Sequence, residues 1–316
     1  MNSDYYNINI HLTEEQKLIQ NSTRDWVDKF VKPIIEDHFQ KEETPPGLIK
    51  ELAEIGAFGL IVPEQYGGIN ADYISFGLMM QELERGDSSI RVVSSIQTSL
   101  VMYAIYKFGS EKQRLKYLPK LAAGELLGSF GLSEPSFGSN PSAMHTYFRE
   151  EGDKIVINGS KMWIGNATAA DIAIVWAKNP SGKVQGLIVE TENITNFTTT
   201  VIKEKWSFRA SKTGELVFSD SVISKDQILA ESTSIKDAYQ CLNIGRYAVA
   251  WGSVGIALEC YETALSYSLE RLQFGEPIAS KQLIQKKLTD MITEITKAQC
   301  LNYQLGVLMD NGKARF

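Results

Sequence analysis

Phe130-Gly-Leu-Ser-Glu-Pro-Ser-Phe-Gly-Ser-Asn140, followed by Asn158-Gly-Ser-Lys-Met-Trp-Ile-Gly-Asn166, combines a hydroxyl-bearing strand end, a Gly-Ser turn and a tryptophan on a second strand. The strand end offers backbone N–H groups beside the Ser133 hydroxyl. The Gly138-Ser139 turn lets backbone approach a phosphate, and Trp163 supplies an aromatic face. Such a set can seat a flat polar ring system. Taken as bare pattern, the same residues also suit a strand, a turn and a buried Trp.

Around this stretch the hydrophobic period changes twice. From Gly128 to about Leu229 it is that of strands. Ile155-Val156-Ile157 and Met162-Trp163-Ile164 flank Asn158-Gly159, a hairpin signal, and Ile172, Ile174 and Trp176 alternate with smaller residues. Leu187 to Val189, Thr198 to Ile202 and Glu215 to Phe218 add further strands, so the middle reads as a small barrel or sandwich. Residues 12 to 123 read as helices, with capping boxes at Thr13-x-x-Gln16 and Ser110-x-x-Gln113 and apolar residues such as Phe76, Met80 and Leu83 at helical spacing. Residues 236 to 272 form one long helical pattern in which Gly245, Gly252 and Gly255 permit close helix approach. A second pattern from Ser280 to Leu308 carries an apolar stripe that demands a partner. The expected fold is α+β and multidomain: an N-terminal helical bundle over 1–126, a middle β-barrel or sandwich over 127–233 and an incomplete C-terminal helical bundle over 234–316.

Composition narrows the function classes. A chain of 316 residues with 43% hydrophobic residues can bury a large core, and its net charge of -6, without a long basic run, argues against a nucleic-acid or membrane-surface binder. Three scattered cysteines, Cys241, Cys260 and Cys300, fit a reducing compartment, and neither a targeting signal nor a transmembrane run is visible. Cytoplasmic location is expected. His11, His38 and His145 show no metal-ligand spacing.

The two opening segments resemble the flavin-binding middle domain of the acyl-CoA dehydrogenase family. Val62-Pro-Glu-Gln-Tyr-Gly-Gly68, Phe108-Gly-Ser-Glu-Lys-Gln-Arg114, Tyr117-Leu-Pro-Lys-Leu-Ala122 and Arg271-Leu-Gln-Phe-Gly275 follow in that family's order. The resemblance runs from about Leu12 to Leu308. It is nearest to the glutaryl-CoA dehydrogenases, through Glu82-Leu-Glu-Arg-Gly-Asp-Ser-Ser-Ile-Arg91, Ser95 to Met102, Cys241 to Tyr247 and Gln282 to Leu288.

The resemblance implies an FAD-dependent enzyme, most closely one that converts glutaryl-CoA to crotonyl-CoA by α-proton abstraction, hydride transfer to flavin and decarboxylation. It also implies a separate electron acceptor and a homotetramer. Positions matching the flavin contacts are Phe130, Leu132, Ser133, Gly138, Ser139 and Trp163, with Gly165 where relatives usually carry a Thr whose hydroxyl meets the flavin. Arg271, Gln273 and Phe274, with Gln282 nearby, match a motif that reaches a neighbouring subunit's FAD; the bare pattern is a basic helix end with an aromatic plug. Arg91 matches the residue that grips the distal carboxylate of the substrate, assisted by Glu84 and Ser95, while Ser139 and Arg246 match positions near the CoA. Glu84 and Arg91 would share a helix face only on a continuous helix, and Gly86-Asp87 is expected to break it.

The family reaction needs a carboxylate base. No catalytic base is expected in this chain: one family location falls beyond Phe316, and the other, the residue before Arg246, is Gly245. Loss of general-base catalysis costs a factor of about 10^2 to 10^4. Three readings follow: the larger part of a glutaryl-CoA dehydrogenase-like enzyme, inactive alone; a desulfinase-like relative in which Arg91 holds a sulfinate; or an inactive truncated remnant.

Overall fold

The computed structural model describes residues 4–192 and 194–314; Phe316 lies outside them. Helix α1 (Glu14–Trp26) starts on the expected capping box. Gln16 N–H donates to Thr13 Oγ1 at 3.2 Å and Thr13 N–H donates to Gln16 Oε1 at 2.9 Å, so two N–H groups that a first turn leaves unpaired satisfy each other's residues. Helices α2 (Ile35–Lys41), α3 (Leu48–Glu54), α4 (Tyr73–Gly86), α5 (Ser88–Ser95), α6 (Tyr103–Phe108) and α7 (Glu111–Ala122) follow, the last on a second capping box at Ser110 and Gln113. A π-helical turn, Ile96–Met102, separates α5 from α6.

Strands β1 (Gly128–Gly131), β2 (Tyr147–Glu151), β3 (Lys154–Gly165), β4 (Ile172–Lys178), β5 (Val184–Glu190), β6 (Phe197–Val201) and β7 (Thr213–Ser224) join one seven-stranded sheet in the order β1-β4-β2-β3-β7-β6, with β5 on β4. The β region is therefore a single curled sheet rather than a sandwich of two. Its centre is apolar on both faces. Ile172, Ile174 and Trp176 enter one core with Phe130 and Leu118, while Ala173, Val175 and Ala177 enter another with Phe148, Ile157 and Leu216. Burial on both faces explains why β4 reads as a nearly continuous apolar run.

The hairpin expected at Asn158-Gly159 does not form. β3 runs through both residues and pairs with β7 from Lys154 to Gly165, with register shifts at Ile157/Asn158 and Met162/Ile164. Both turn residues have other work. A Cβ on Gly159, at φ +139, would lie 2.4 Å from Thr146 Oγ1 and 2.6 Å from its Cα, so only glycine lets β3 pass that backbone. The Asn158 amide donates to Asp220 Oδ1 at 2.9 Å and accepts from Asp220 N–H at 3.0 Å, bridging the bulge to β7.

The chain continues through α8 (Ile235–Glu270), a two-strand ribbon of β8 (Leu272–Gln273) and β9 (Glu276–Pro277), and α9 (Gln282–Asp310). Contacts divide the chain into two compact units: Met1–Ile35, Asp72–Arg91 and Tyr247–Phe316 form one, and Glu36–Ala71 with Val92–Arg246 form the other. In the first unit α4 packs against α1 and α9. A Cβ at Gly255 would fall 1.9 Å from Gln81 O, the close approach that the small residues of α8 promised. Val254, Leu258, Tyr261 and Ile295 form the core between the later part of α8 and α9. Among the described residues no helix is long and apolar enough to cross a membrane.

Candidate active site

The second unit holds a cavity of about 630 Å³. Val92, Ile96, Phe130, Trp163 and Gly165 line it, together with the loop from Ile202 to Phe208. Three of the expected cofactor residues, Phe130, Trp163 and Gly165, are thus brought together. Trp163 adopts φ +65 at the second β3 bulge, a conformation that costs a residue of this kind about 1–3 kcal/mol. The bulge turns the indole out of the sheet, leaving it 60% exposed at the cavity edge. A large aromatic held open in a strained backbone suits a planar ring that would cover it.

Gly165 has a specific neighbour. A Cβ there would lie 2.3 Å from Ile96 Cδ1, so the position at which the resemblance leads to the expectation of a hydroxyl is closed here by an apolar side chain from the π-helical turn. Leu132 is buried and Ser133 half-buried. Gly138 and Ser139 are exposed, with no atom within 4 Å of a Cβ built on Gly138, an open cradle at which a phosphate can approach backbone.

Behind the strand end lies a charge that no local pattern in the sequence marks. Lys161 is fully buried, and its Nζ donates to Glu134 Oε1 at 2.9 Å and to Leu132 O at 3.1 Å, with Met144 Sδ at 3.7 Å. Glu134 also accepts from the His145 and Thr146 N–H groups at 2.7 and 2.9 Å. Burial pulls the Lys161 ammonium down to about 8 against the opposing charge of Glu134. Burial raises the Glu134 carboxyl, but Lys161 and the two N–H donors outweigh it and hold it below its ordinary value.

The loop from Ile202 to Phe208 was missed in the sequence. Its signal was two aromatic residues, Trp206 and Phe208, in an otherwise polar connection; Trp206 is 98% exposed. Arg209 anchors the loop by donating to Phe39 O and Lys205 O and by pairing with Glu42 at 2.9 Å.

In the first unit Arg91 is buried, and its Nε donates to Glu84 Oε2. The expected break is present: α4 stops at Gly86, and Asp87, in extended backbone, caps α5 by accepting from Ser89 N–H at 2.6 Å. The two side chains meet despite it. Gly252 makes room for them, since a Cβ there would lie 2.9 Å from Glu84 Oε2 and 3.3 Å from Arg91 Nε. Arg271, Gln273 and Gln282 are exposed, and Phe274 is 97% exposed at the tip of the β8–β9 ribbon, where Phe274 and Gly275 both take positive φ. In the second unit Ser95 is buried and donates to Val92 O at 3.2 Å, and Arg246 is exposed and donates to Asn243 Oδ1 at 2.9 Å.

A bulged sheet that holds an indole open over an apolar cavity defines a protein suited to a planar ring cofactor. Three family models cover the chain: the acyl-CoA dehydrogenase N-terminal domain over residues 13–125, the middle domain over 129–221 and the C-terminal domain over 235–315. The chain belongs to the acyl-CoA dehydrogenase family. The expectation that the C-terminal part is absent is corrected by the third match.

Among its relatives, a glutaryl-CoA dehydrogenase of Desulfococcus multivorans is 33% identical over 97% of this chain and 80% of its own length. The human mitochondrial short-chain specific acyl-CoA dehydrogenase is 33% identical over 96% and 75%. A solved glutaryl-CoA dehydrogenase from Mycobacterium smegmatis, in complex with FADH2, superposes with a TM-score of 0.96 at 37% identity, covering 98% of this chain and 80% of that one. Relatives of different acyl-chain preference are thus about equally similar.

Proposed function

We propose that the protein binds FAD against the bulged end of β3 and acts on glutaryl-CoA, with Arg91 gripping the distal carboxylate. The observation that carries the substrate is the buried Arg91–Glu84 pair. An isolated buried guanidinium is costly, and Glu84 both offsets that cost and fixes the plane of the Arg91 fork for a carboxylate. Similarity to two glutaryl-CoA dehydrogenases supports the same choice.

The cavity residues suit the cofactor: Trp163 offers a ring face, and Phe130 and Ile96 an apolar wall. Outside the cavity lining, Ser133 offers a hydroxyl and the open Gly138-Ser139 turn a place for the pyrophosphate. FAD, when bound, supplies the acceptor for a hydride from the acyl chain. The protein's own contribution is to hold the thioester, Ser139 and Arg246 toward the CoA, and to keep the distal carboxylate on Arg91 until it leaves as CO2. Gly245 bears no carboxylate, so the α-proton of the thioester passes to a base other than the residue before Arg246. The exposed Arg271, Gln273 and Phe274 of the ribbon, with Gln282, are assigned to hold a neighbouring subunit's FAD in a homotetramer, from which a separate acceptor would take the electrons.

A second reading has one observation in its favour. Gly165 withdraws a side-chain donor from the cofactor cavity, which suits a desulfinase-like reaction in which Arg91 holds a sulfinate and no hydride leaves the acyl chain. Anaerobic mixing of the FAD-loaded protein with glutaryl-CoA and with butyryl-CoA tests the first reading. Loss of flavin absorbance with glutaryl-CoA and little with butyryl-CoA is the expected result; equal responses contradict the role of Arg91.

A further inference from the structure

Leu132 and Ser133 are joined by a peptide whose two ends face opposite ways. No cis peptide occurs among the described residues, so the Leu132 carbonyl and the Ser133 N–H lie in one plane and point in opposite directions. The carbonyl end is held from inside the sheet by the Lys161 ammonium at 3.1 Å. The next carbonyl, that of Ser133, accepts from Met162 N–H at 2.9 Å. Two consecutive residues of β3 therefore fix two consecutive peptides of the strand end. A third, Trp163, supplies the exposed indole.

The grip is built with care for its charge. Gly131 leaves space for the Lys161 stem, since a Cβ there would lie 3.3 Å from Lys161 Cγ and 3.2 Å from Leu216 Cδ1. Glu134, the counter-ion, also receives the His145 and Thr146 N–H groups, and its own backbone exchanges hydrogen bonds with Phe137 at 3.1 and 3.3 Å. One ion pair thus ties the strand end, the turn leading to Gly138-Ser139 and β3 to each other. A lysine and a glutamate buried only for stability would be poor choices, because apolar residues of similar volume usually serve as well or better.

We propose that Lys161 is a positioning residue for the cofactor: it orients the Leu132–Ser133 peptide from behind and polarises it, so that the Ser133 N–H becomes a stronger donor to an electron-rich atom of the flavin ring. This rests on the cofactor reading above. A cation on the carbonyl side draws electron density along the peptide, and charge-assisted hydrogen bonds are roughly twice as strong as neutral ones. The effect favours the more electron-rich, reduced ring.

The test uses K161M/E134Q, which removes the pair without stranding either charge, and K161Q/E134Q, which returns a neutral donor. FAD affinity by flavin fluorescence and midpoint potential by dye equilibration are the readouts, beside the melting temperature. K161M/E134Q is expected to bind oxidised FAD about tenfold more weakly and to lower the potential by about 30 mV, a further tenfold against the reduced ring. K161Q/E134Q recovers most of the affinity but not the potential. A variant that only melts earlier, with affinity and potential unchanged, overturns the inference and leaves the cofactor reading standing. A wild-type protein that does not bind FAD overturns both. Should K161M/E134Q fail to fold, E134Q alone decides: burial without a counter-ion neutralises Lys161, and affinity falls at least threefold, or the inference fails.

Discussion

Arg91 and Glu84 lie on two different helices, separated by a break at Gly86-Asp87, and yet form a buried ion pair through Nε and Oε2. Asp87 restarts the chain as α5 by capping it through Ser89 N–H, and the two side chains meet across that break. Gly252 of α8 faces both polar atoms without crowding them. The arrangement holds a guanidinium at low exposure with its orientation set by a carboxylate.

Removing one member of this pair is expected to cost more than removing both. Glu84→Ala takes the carboxylate away from a buried guanidinium and lowers the unfolding free energy by about 3–5 kcal/mol, whereas E84L/R91M recovers most of the loss. Urea unfolding of the single and double variants checks this. Equal losses in both would mean that Arg91 does not depend on Glu84.

Gly165 and Ile96 form a second matched pair. Gly165→Ala drives a methyl against Ile96 Cδ1 and destabilises the fold by about 1–3 kcal/mol. Ile96→Val removes that one atom at a cost of about 0.5–1.5 kcal/mol by itself. The double variant I96V/G165A is expected to be more stable than G165A alone, a coupling that thermal melts of the four proteins would read. Strict additivity would show that the two residues do not meet.

The capping boxes are tests of local structure. Ser110→Ala removes the acceptor for Gln113 N–H and lowers stability by about 1 kcal/mol, and Thr13→Ala does the same at the start of α1. Melting temperatures suffice, and an unchanged value at either position would contradict its cap.

Lys161 predicts opposite pH trends for folding and for cofactor affinity. Burial lowers the ammonium to about 8 from an ordinary value of 10.5, and it faces the Glu134 carboxylate, the Leu132 carbonyl and the Met144 thioether. Below about 8 the group is charged in both folded and unfolded chains, and the burial penalty is fully present. Between about 8 and 10.5 the unfolded chain binds more protons, so this group's contribution to stability rises with pH. FAD affinity is expected to fall through about 8, where the folded chain loses the ammonium. The step in affinity near 8 should be missing from K161M/E134Q.

Much of the fold was legible because its signals were local. Capping boxes at Thr13 and Ser110, the long small-residue pattern of α8 and the alternation around Ile174 each became the expected element. The Asn158-Gly159 hairpin failed because a turn signal and a bulge signal use the same residues. Only the distant Thr146 and Asp220 decide between them, and no local pattern shows those. Phe130, Trp163 and Gly165 could be named in advance as cavity residues, while the loop around Trp206 could not, since its place depends on Arg209 holding Phe39 and Glu42. The Lys161 charge was hidden for a related reason: a lysine inside a strand reads as exposed until the sheet covers both of its faces.

The proposed role of the buried Arg91 guanidinium is to select an acyl chain ending in an anion. Calorimetric titration of the FAD-loaded protein with glutaryl-CoA and with butyryl-CoA, in wild type and Arg91→Met, tests it without requiring turnover. Glutaryl-CoA is expected to bind at least tenfold more tightly, about 1.4 kcal/mol or more, with that preference lost in the variant. Equal affinity of the wild-type protein for both thioesters, or a preference that survives in Arg91→Met, would contradict it.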